Sequence, residues 1–565
     1  MTTITTGDPQ AGHAVLADAF HAEGVRAVFC LMGIANMRWI ASLSRHPDIG
    51  VTHVRHENAA IAMADAYAQA TGDVGVASVT CGPGVTQIPT SLTESSRRRT
   101  PIVVFAGDTS VSGGYDLHQF DQGPLVTATG AAFVPVRSVD RLLADTHRAF
   151  LTARRERRPV VLSVPTDIQE TPVHGGKYIP SWEALVSPAP YHPNPSQVRS
   201  AVDAIVSAKR PVVIAGRGAV ISDAYAELVD LGDRIGALLM TTLLAKDWFD
   251  AEPYSLGLTG GFADPSTRAL LAHADLVIAV GTCLDHYATG GGRLFGGAHV
   301  MQIDTDPLVW GRSDVRVENF VVGDAASAVR DLIAELDSRG VGRRSGYRTP
   351  DVAVLIDARR TTDDPVPLED GTLDPRAVLR ALDEAVPRDW TIVVGAGHFW
   401  TMAVDYFHER TPSDYRFTCL DFGVVGQGLP SAIGVAVADP SRSVLLVEGD
   451  GSLLMNIQEL ETAARHQIGN LVVCAINDGA FGAEAHKLRA WGLDENLAVF
   501  GRPDFAAIAE AFGLNGVHLA DPADIGTILE RHASGCSTTV IDAWTSRTVL
   551  SASYRRFYFG EPDAR

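Results

Sequence analysis

Two short polar segments in the last third of the chain carry the residue types that hold a divalent cation and a phosphate group. The first is Gly449-Asp450-Gly451-Ser452, and 25 residues separate Gly451 from the second, Asn477-Asp478. Asp450 offers a carboxylate oxygen and Asn477 an amide oxygen, and hard cations such as Mg²⁺ prefer oxygen ligands of this kind. The small residues of the first segment let backbone N–H groups approach phosphate oxygens at the start of a helix. The spacing therefore predicts a site for a metal ion and a phosphate group.

A βαβ unit must position these segments. Residues 443–448 and 471–476 form largely apolar runs that are typical of buried parallel strands. The helical pattern between them has apolar residues at Leu454, Ile457, Leu460 and Ala463. Polar residues follow the carboxyl end of both strands, which is where ligands bind in open α/β sheets. Two ordinary βα turns in a flavodoxin-like sheet are the alternative interpretation.

The same alternation of apolar runs and helical patterns extends over the whole chain. Continuous Val, Ile and Leu runs of this kind indicate parallel sheets that are covered on both faces. A proline-rich stretch at 179–195 and a polar stretch at 343–371 are predicted linkers. We therefore expect an α/β protein of three doubly wound parallel-sheet domains, at residues 1–180, 195–340 and 372–565. The other predicted strands lie at residues 25–30, 75–80, 102–105, 159–164, 211–218, 274–281, 299–304 and 391–395.

Composition excludes several classes of protein. The chain has 565 residues and a formal net charge of −20, which disfavours nucleic acid and anionic membranes as partners. No apolar run is long enough to span a membrane, and the N-terminus lacks the features of a signal peptide. The six cysteines form no C-x-x-C pair, which favours buried thiols over disulfides or a zinc site. We therefore expect a cytoplasmic protein.

The spacing of the two polar segments resembles the signature of the thiamine diphosphate-dependent enzymes, G-D-G followed after 24 to 27 residues by N-[ND]. Residues 55–60 resemble the family's R-H-E-x-x-A helix, and residues 82–86 resemble its S-G-P-G-x-x-N loop. Residues 395–398 and 423–430 resemble the turns beside the diphosphate and under the pyrimidine ring. In order and content the chain is similar to the large subunit of acetolactate synthase and to related 2-keto acid decarboxylases.

This resemblance implies an architecture and a set of partners. The three domains would be the pyrimidine-binding (Pyr), central and diphosphate-binding (PP) domains of the thiamine diphosphate-binding fold. The Pyr domain of one subunit and the PP domain of another share each cofactor in this family, so a homodimer or homotetramer is implied. The cofactors would be thiamine diphosphate and Mg²⁺.

The resemblance also assigns roles around the cofactor. Glu57 would hydrogen-bond N1′ of the aminopyrimidine and promote its imino tautomer, Val425 would support the bent cofactor, and the Gly423 carbonyl would accept from the 4′-amino group. The metal ligands would be Asp450, Asn477 and the carbonyl of Gly479. The further positions assigned to the cofactor are Gly82, Pro83, Gly397, His398, Gly449, Gly451, Ser452 and Phe481.

The substrate residues leave alternatives open. His118 and Gln119 lie in the loop where acetolactate synthases carry a glutamine and pyruvate decarboxylases a His-His pair, and Glu484 lies where those decarboxylases place a glutamate. However, Ile34 stands where they require an aspartate. His118 as a structural histidine and Glu484 as a surface residue are the alternative interpretations.

Three functions remain at this stage. The first is decarboxylation of a 2-keto acid with transfer of the acyl carbanion to a carbonyl acceptor. The second is simple decarboxylation that releases an aldehyde, and the third is a non-catalytic relative that binds the cofactor. Binding of FAD to the central domain is also left open, because residues 281–290 resemble a flavin site only loosely. The short glycine turn at 216–218 is more typical of a structural turn than of a nucleotide site. The sequence names neither the donor acid nor the acceptor, nor any regulatory subunit.

Overall fold

The computed structural model describes residues 9–114, 116–173, 178–185, 191–358 and 365–560. The chain divides into two compact units. The first comprises Met1–Val186, Leu368–Trp400 and Arg416–Arg547, and the second comprises Ser187–Pro367, Thr401–Tyr415 and Thr548–Arg565. The first unit therefore contains the first and last thirds of the chain for the most part, and the second contains the central third.

The first third forms a six-stranded parallel sheet of order β3-β2-β4-β5-β7-β6, beside a small antiparallel pair, β1-β8. Its strands are β1 (Gln10–Ala11), β2 (Ala27–Cys30), β3 (Gly50–His53), β4 (Gly75–Val79), β5 (Ile102–Asp108), β6 (Ala132–Pro135), β7 (Pro159–Pro165) and β8 (Pro172–Val173). Its helices are α1 (Gly12–Ala22), α2 (Met37–Leu43), α3 (Glu57–Thr71), α4 (Pro83–Thr86), α5 (Pro89–Arg98), α6 (Gln122–Ala128), α7 (Leu142–Glu156) and α8 (Thr166–Glu170).

The central third forms a parallel sheet of order β11-β10-β9-β12-β13-β14. Its strands are β9 (Pro211–Ala215), β10 (Leu238–Thr241), β11 (Ser255–Leu258), β12 (Leu276–Val280), β13 (His299–Asp304) and β14 (Asn319–Val322). Its helices are α9 (Pro195–Ser207), α10 (Arg217–Ile221), α11 (Tyr225–Ile235), α12 (Pro265–Ala272), α13 (His286–Thr289), α14 (Ala325–Ser338) and α15 (Pro350–Asp357). Helix α15 lies inside the predicted polar linker, where the Thr349 side chain accepts from the Val352 N–H and starts a helix.

The last third forms a parallel sheet of order β16-β15-β17-β18-β20-β19. Its strands are β15 (Thr391–Val394), β16 (Tyr415–Phe417), β17 (Val444–Gly449), β18 (Leu471–Asn477), β19 (Asn515–His518) and β20 (Thr539–Trp544). Its helices are α16 (Pro375–Ala385), α17 (Trp400–Tyr406), α18 (Gly428–Ala438), α19 (Asp450–Met455), α20 (Glu459–Arg465), α21 (Gly482–Ala490), α22 (Phe505–Ala511), α23 (Ile525–Ala533) and α24 (Ala552–Tyr558).

The predicted fold class is confirmed, because each third of the chain carries a six-stranded parallel sheet between helices. The first and last sheets follow the same path, since in both the first strand lies between the second and the third. One predicted helix is wrong in detail. The apolar pattern between β17 and β18 is divided between α19 and α20, because the backbone leaves the helical region at Asn456, whose side chain donates to the Gly426 carbonyl at 2.5 Å.

Helices α3 and α18 join the first and last sheets within the first unit. The side chains of α3 are buried over most of its length, and those of α18 share one hydrophobic core with them. A Cβ atom on Gly434 would overlap the carbonyl group of Met63, so only glycine permits this close approach of the two helices. This contact packs the helices of the two sheets closely together within the first unit.

Two further findings concern the whole described chain. No helix in the described residues is both long and apolar enough to cross a lipid bilayer. All six cysteines are free thiols. The prediction that they are buried holds for Cys30, Cys81 and Cys474, whereas Cys283 and Cys419 are partly buried and Cys536 is exposed.

Candidate active site

The two predicted metal-binding side chains lie at the ends of neighbouring strands. Strands β17 and β18 pair in parallel, with Gly449 opposite Ile476. Asp450 comes directly after Gly449 and Asn477 directly after Ile476, so the two residues lie at the same end of the strand pair. Both residues are buried. The Asp450 carboxylate accepts from the N–H groups of Gly451 at 2.7 Å and Gly479 at 2.6 Å, which hold it in place at the first turn of α19.

The Asn477 side chain presents an amide oxygen without a partner. Its nitrogen donates to the Pro503 carbonyl at 2.8 Å and to Asp542 Oδ1 at 2.9 Å. Its oxygen is buried and accepts no hydrogen bond from any described residue. A buried, unpaired oxygen is costly unless a ligand satisfies it, so this residue fits a bound cation.

The electrostatics of the site also fit a cation. Burial, and then the nearby Asp478 carboxylate, raise the pKa of Asp450 well above its ordinary value. Asp478 is itself buried, its pKa is also raised by burial, and its Oδ2 accepts no hydrogen bond from the described residues. Two neighbouring buried carboxyl groups are costly to ionise together. A bound divalent cation would offset their negative charge and favour the ionised forms.

The third predicted ligand is less available. The Gly479 carbonyl already accepts from the N–H groups of Phe500 at 3.0 Å and Gly501 at 3.1 Å. A metal bond to this oxygen would therefore compete with two backbone hydrogen bonds. Its role as a ligand stays a prediction.

A buried glutamate lies between the glycine turns of the last sheet. Cβ atoms on Gly395 or Gly428 would overlap the Glu448 carboxyl group, and Gly449 N–H donates to its Oε1 at 3.2 Å. Burial raises the pKa of Glu448 to about 8. The sequence analysis did not single this residue out, and the only available signal was a charged residue at the end of an apolar strand.

The predicted diphosphate turn comes directly after β15. Gly397 has a φ of 154°, and its neighbour His398 is buried, with Nδ1 3.7 Å from Asp478 Oδ2. A Cβ atom on Gly482 would overlap Asp478 and lie 2.5 Å from His398 Nδ1. The turn therefore packs directly against the segment that follows Asn477, and Asp478 joins the predicted residues of this region.

The loop at 423–426 is fixed to α19. The Gly426 N–H donates to Ser452 Oγ at 2.9 Å, and both Gly423 and Gly426 have a positive φ. The Val425 side chain is 44% exposed although it is apolar. The Val425 side chain is therefore accessible to a ligand, and its role beneath a ring stays a prediction.

A second group of predicted residues meets at the carboxyl edge of the first sheet. Glu57 is the first residue of α3, and a Cβ atom on Gly84 would lie 3.7 Å from its Oε1. Gly82 has a φ of 57°, and a Cβ atom there would lie 2.5 Å from the His118 carbonyl oxygen. The turn that contains Gly82 and Pro83 therefore lies against the main chain of His118, and Gly84 of the same segment lies beside Glu57.

The predicted substrate residues are accessible. His118 is partly exposed with Nδ1 3.5 Å from Asp116 Oδ1, and Gln119 is exposed beside it. Glu484 lies in the first turn of α21, is 59% exposed and sits 3.5 Å from Lys487 Nζ. Ile34 is also exposed. These positions are open to a ligand, and their roles stay predictions.

The Phe481 ring packs beside the turn that contains Gly451. A Cβ atom on Gly451 would lie 3.0 Å from the Phe481 ring, and this ring packs 5.0 Å from that of Phe500. Half of the Phe481 side chain remains exposed. The close approach explains why residue 451 is a glycine.

The central sheet offers little support for a flavin. Its glycine turns follow the neighbouring strands β9 and β12, where nucleotides bind in many such sheets. However, a Cβ atom on Gly218 would lie 2.7 Å from Gly281 Cα, and one on Gly281 would overlap the backbone of Gly218 and Ala219. These glycines are thus explained by contact between the two turns, and they form no open cradle for a nucleotide.

Comparisons with known proteins match all three thirds of the chain. Residues 10–125 match the N-terminal TPP binding domain of thiamine pyrophosphate enzymes, residues 198–332 their central domain, and residues 395–543 their C-terminal TPP binding domain. The chain is 31% identical over 560 residues to the acetolactate synthase large subunit of Parasynechococcus marenigrum, which covers 95% of this chain and 88% of that protein. It is 29% identical over 524 residues to the acetolactate synthase isozyme 3 large subunit of Escherichia coli, covering 89% of this chain and 88% of that protein.

Proposed function

This chain belongs to the thiamine pyrophosphate enzymes, and we propose that it decarboxylates a 2-keto acid and joins the remaining acyl unit to a carbonyl acceptor. The similarity to acetolactate synthases extends along about nine-tenths of the chain, which supports a carboligase-like activity on small molecules. The observation that carries the proposal is the buried, unpartnered amide oxygen of Asn477 beside the Asp450 carboxylate. Together they supply the oxygen ligands that would anchor a metal and a diphosphate.

Each part of the site has a distinct task under this proposal. Thiamine diphosphate supplies a nucleophilic thiazolium carbon when it is bound. Asp450 and Asn477 would hold Mg²⁺. The Ser452 N–H would hold a diphosphate oxygen, and the Gly451 N–H would do so on exchanging its bond to Asp450 Oδ1. The turn at Gly397 and His398 would bind the same group from the other side.

The aminopyrimidine ring of the cofactor needs a neighbouring group that exchanges a proton with it. Glu57 would keep its carboxyl group at N1′ of the pyrimidine, where a charge-assisted hydrogen bond is strengthened by a dry site. Val425 would hold the ring from below and the Gly423 carbonyl would accept from its amino group. We propose that Glu57 of one chain serves the PP domain of a second chain in a homodimer or homotetramer, and that the enzyme works in the cytoplasm.

Product analysis tests the proposed reaction. The purified protein is incubated with thiamine diphosphate, Mg²⁺ and pyruvate, phenylpyruvate or benzoylformate, and products are identified by mass spectrometry. A carboligase yields a hydroxyketone or hydroxy acid longer than the donor. Aldehyde as the sole product from every donor would refute the ligase proposal.

A simple decarboxylase is the second candidate. The exposed positions of His118 and Glu484 favour it, because both could deliver a proton to a bound intermediate. Ile34 disfavours it, since it cannot transfer a proton. The third candidate is a non-catalytic relative that binds the cofactor. Hydrogen–deuterium exchange at the thiazolium C2 position distinguishes it from both enzymes. An enzyme in which Glu57 activates the cofactor accelerates this exchange, and a protein that only binds the cofactor does not.

A further inference from the structure

We propose that Asp542 is a positioning residue that determines which atom of Asn477 faces the predicted cation. This inference rests on the proposed function of the site, and it concerns a residue that the sequence analysis did not single out. Asp542 lies on β20 next to β18, with Ala475 as its partner in register and Asn477 two residues further along. Its carboxylate is completely buried.

Both N–H bonds of the Asn477 side chain are used. One points to the Pro503 carbonyl and the other to Asp542 Oδ1. The Pro503 carbonyl has no proton to donate, and Asp542 Oδ1 accepts in this arrangement. If the amide were rotated by half a turn, its own oxygen would meet two acceptors, and both hydrogen bonds would be lost. Asp542 and Pro503 therefore select the orientation in which Oδ1 of Asn477 faces away from them and is left for a ligand.

The Asp542 carboxylate is itself held in place. Its Oδ2 accepts from Phe505 N–H at 3.0 Å and from the Trp544 indole N–H at 3.2 Å. His518 lies on the outer side with Nδ1 3.5 Å from the same oxygen, and its Nε2 is 3.0 Å from exposed Asp504. With Oδ2 occupied by these donors, Oδ1 is directed at Asn477. Outer groups of this kind orient metal ligands in many proteins.

An amide at position 542 should weaken this selection, because only the Pro503 carbonyl would then oppose the rotated amide. In Asp542→Asn the new side chain can turn its own NH₂ group towards Asn477, so the rotated form of Asn477 gains an acceptable partner. We expect Mn²⁺ to bind about 10- to 100-fold more weakly. The readout is the free Mn²⁺ signal in electron paramagnetic resonance, titrated with saturating thiamine diphosphate.

A double variant separates positioning from a general structural role. Asn477→Asp alone should also weaken Mn²⁺ binding, because two carboxylates then face each other across a contact of 2.9 Å. Asn477→Asp combined with Asp542→Asn exchanges donor and acceptor across that contact, so it should bind Mn²⁺ more tightly than the Asn477→Asp variant. A merely structural role for Asp542 predicts that the second substitution makes binding worse. The comparison of the double variant with Asn477→Asp tests the inference even if the single variant Asp542→Asn does not fold.

The matched control is Asp504→Asn, which changes an exposed carboxylate beside His518 and should leave Mn²⁺ affinity unchanged. Mn²⁺ affinity of Asp542→Asn within threefold of the wild-type value would overturn the inference, as would a double variant that binds no better than Asn477→Asp. If the wild-type protein binds neither thiamine diphosphate nor Mn²⁺, the proposed function fails instead.

Discussion

Single glycines make room for the buried Glu448 carboxyl group. We predict that Gly428→Ala destabilises the protein by about 1–3 kcal/mol, because the added methyl group would overlap this carboxyl group in a packed interior. The measurement is the free energy of unfolding from urea denaturation. Gly526→Ala is the control, since Gly526 also lies in the first turn of a helix but a methyl group added there would have no neighbour within 4 Å. It should be neutral or stabilise by up to about 1 kcal/mol. Equal effects of the two changes would contradict the prediction.

We predict that Asp450 serves ligand binding more than the stability of the ligand-free fold. Burial and the Asp478 charge disfavour its ionised form, but Asp450→Asn also loses one of the two N–H bonds that the carboxylate accepts. These effects oppose each other, so the melting temperature of the ligand-free protein should change little. The wild-type protein should gain about 2.7 kcal/mol of stability at a ligand concentration 100 times the Kd. The variant should gain almost none when thiamine diphosphate and Mg²⁺ are added. Scanning calorimetry with and without these ligands tests both expectations, and an equal gain in the variant would exclude Asp450 as a ligand.

The roles of Glu448 and Asp542 could not be predicted from the sequence, because their partners are distant along the chain. Gly395 and Gly428 enclose Glu448, and Asn477 contacts Asp542 across 65 residues. The neighbouring positions of Asp450 and Asn477 were predictable for the opposite reason. Asp450 and Asn477 follow two successive apolar strands, and the parallel pairing of those strands brings their ends together.

At the scale of elements, Arg98 connects helices α3 and α5 with the segment before α18. It donates to Asp65 at 2.9 Å, to Glu94 at 2.5 Å and to Asp421 at 2.8 Å, and its side chain is 8% exposed. Arg98→Met should cost about 3–5 kcal/mol, because it leaves three acidic groups without their common counter-charge in a buried site.

Neighbouring Arg97 provides the control for this prediction. It lies 4.6 Å over the Phe422 ring, and its hydrogen bond to the Asp421 carbonyl is long, at 3.4 Å. Arg97→Ala should cost only about 0.5–1 kcal/mol, which is typical of an exposed cation–π contact. Urea denaturation of both variants gives the comparison. Similar losses for the two arginines would show that the buried cluster contributes little.

Most elements were predictable because continuous apolar runs have few alternatives to a buried strand. The run at 471–476 became β18 and the run at 299–304 became β13. The sequence did not predict the break after α19, since apolar spacing continues through it and the interruption depends on a hydrogen bond from Asn456 to a distant loop. It also missed α15, whose apolar residues lie in a segment that reads as polar overall.

At the scale of the whole molecule, buried carboxyl groups make stability depend on pH. Burial raises the pKa of Glu459 to about 7, against hydrogen bonds from Thr462 and the Arg55 N–H that favour ionisation. The unfolded chain releases this proton near a pH of about 4.3. Between these values the native state binds more protons at Glu459, so the contribution of this residue to stability falls as pH rises and becomes constant above about pH 7.

We predict that Glu459→Gln flattens this part of the stability profile. The free energy of unfolding should be measured by urea denaturation from pH 5 to 8, where the wild-type value falls and the variant value falls less. Glu461→Gln is the control, because hydrogen bonding to Arg55 lowers the pKa of Glu461 to about 2. Both folded and unfolded states ionise that residue above pH 5, so its removal should leave the slope unchanged. Parallel slopes in the wild type and Glu459→Gln would contradict the prediction.

The second unit takes its residues from three separate stretches of the chain. Tyr415, from the last third, donates to Asp247 of the central third at 2.5 Å, and the Phe557 ring packs 4.8 Å from that of Phe262. A recombinant fragment that comprises residues 195–340 would therefore lack Tyr415 and Phe557. It would expose the Phe262 ring and the Asp247 carboxylate, which these two residues contact in the whole protein. Such a fragment should aggregate on expression, so dissecting this protein into independent modules requires cuts that follow spatial contacts and disregard the apparent linkers.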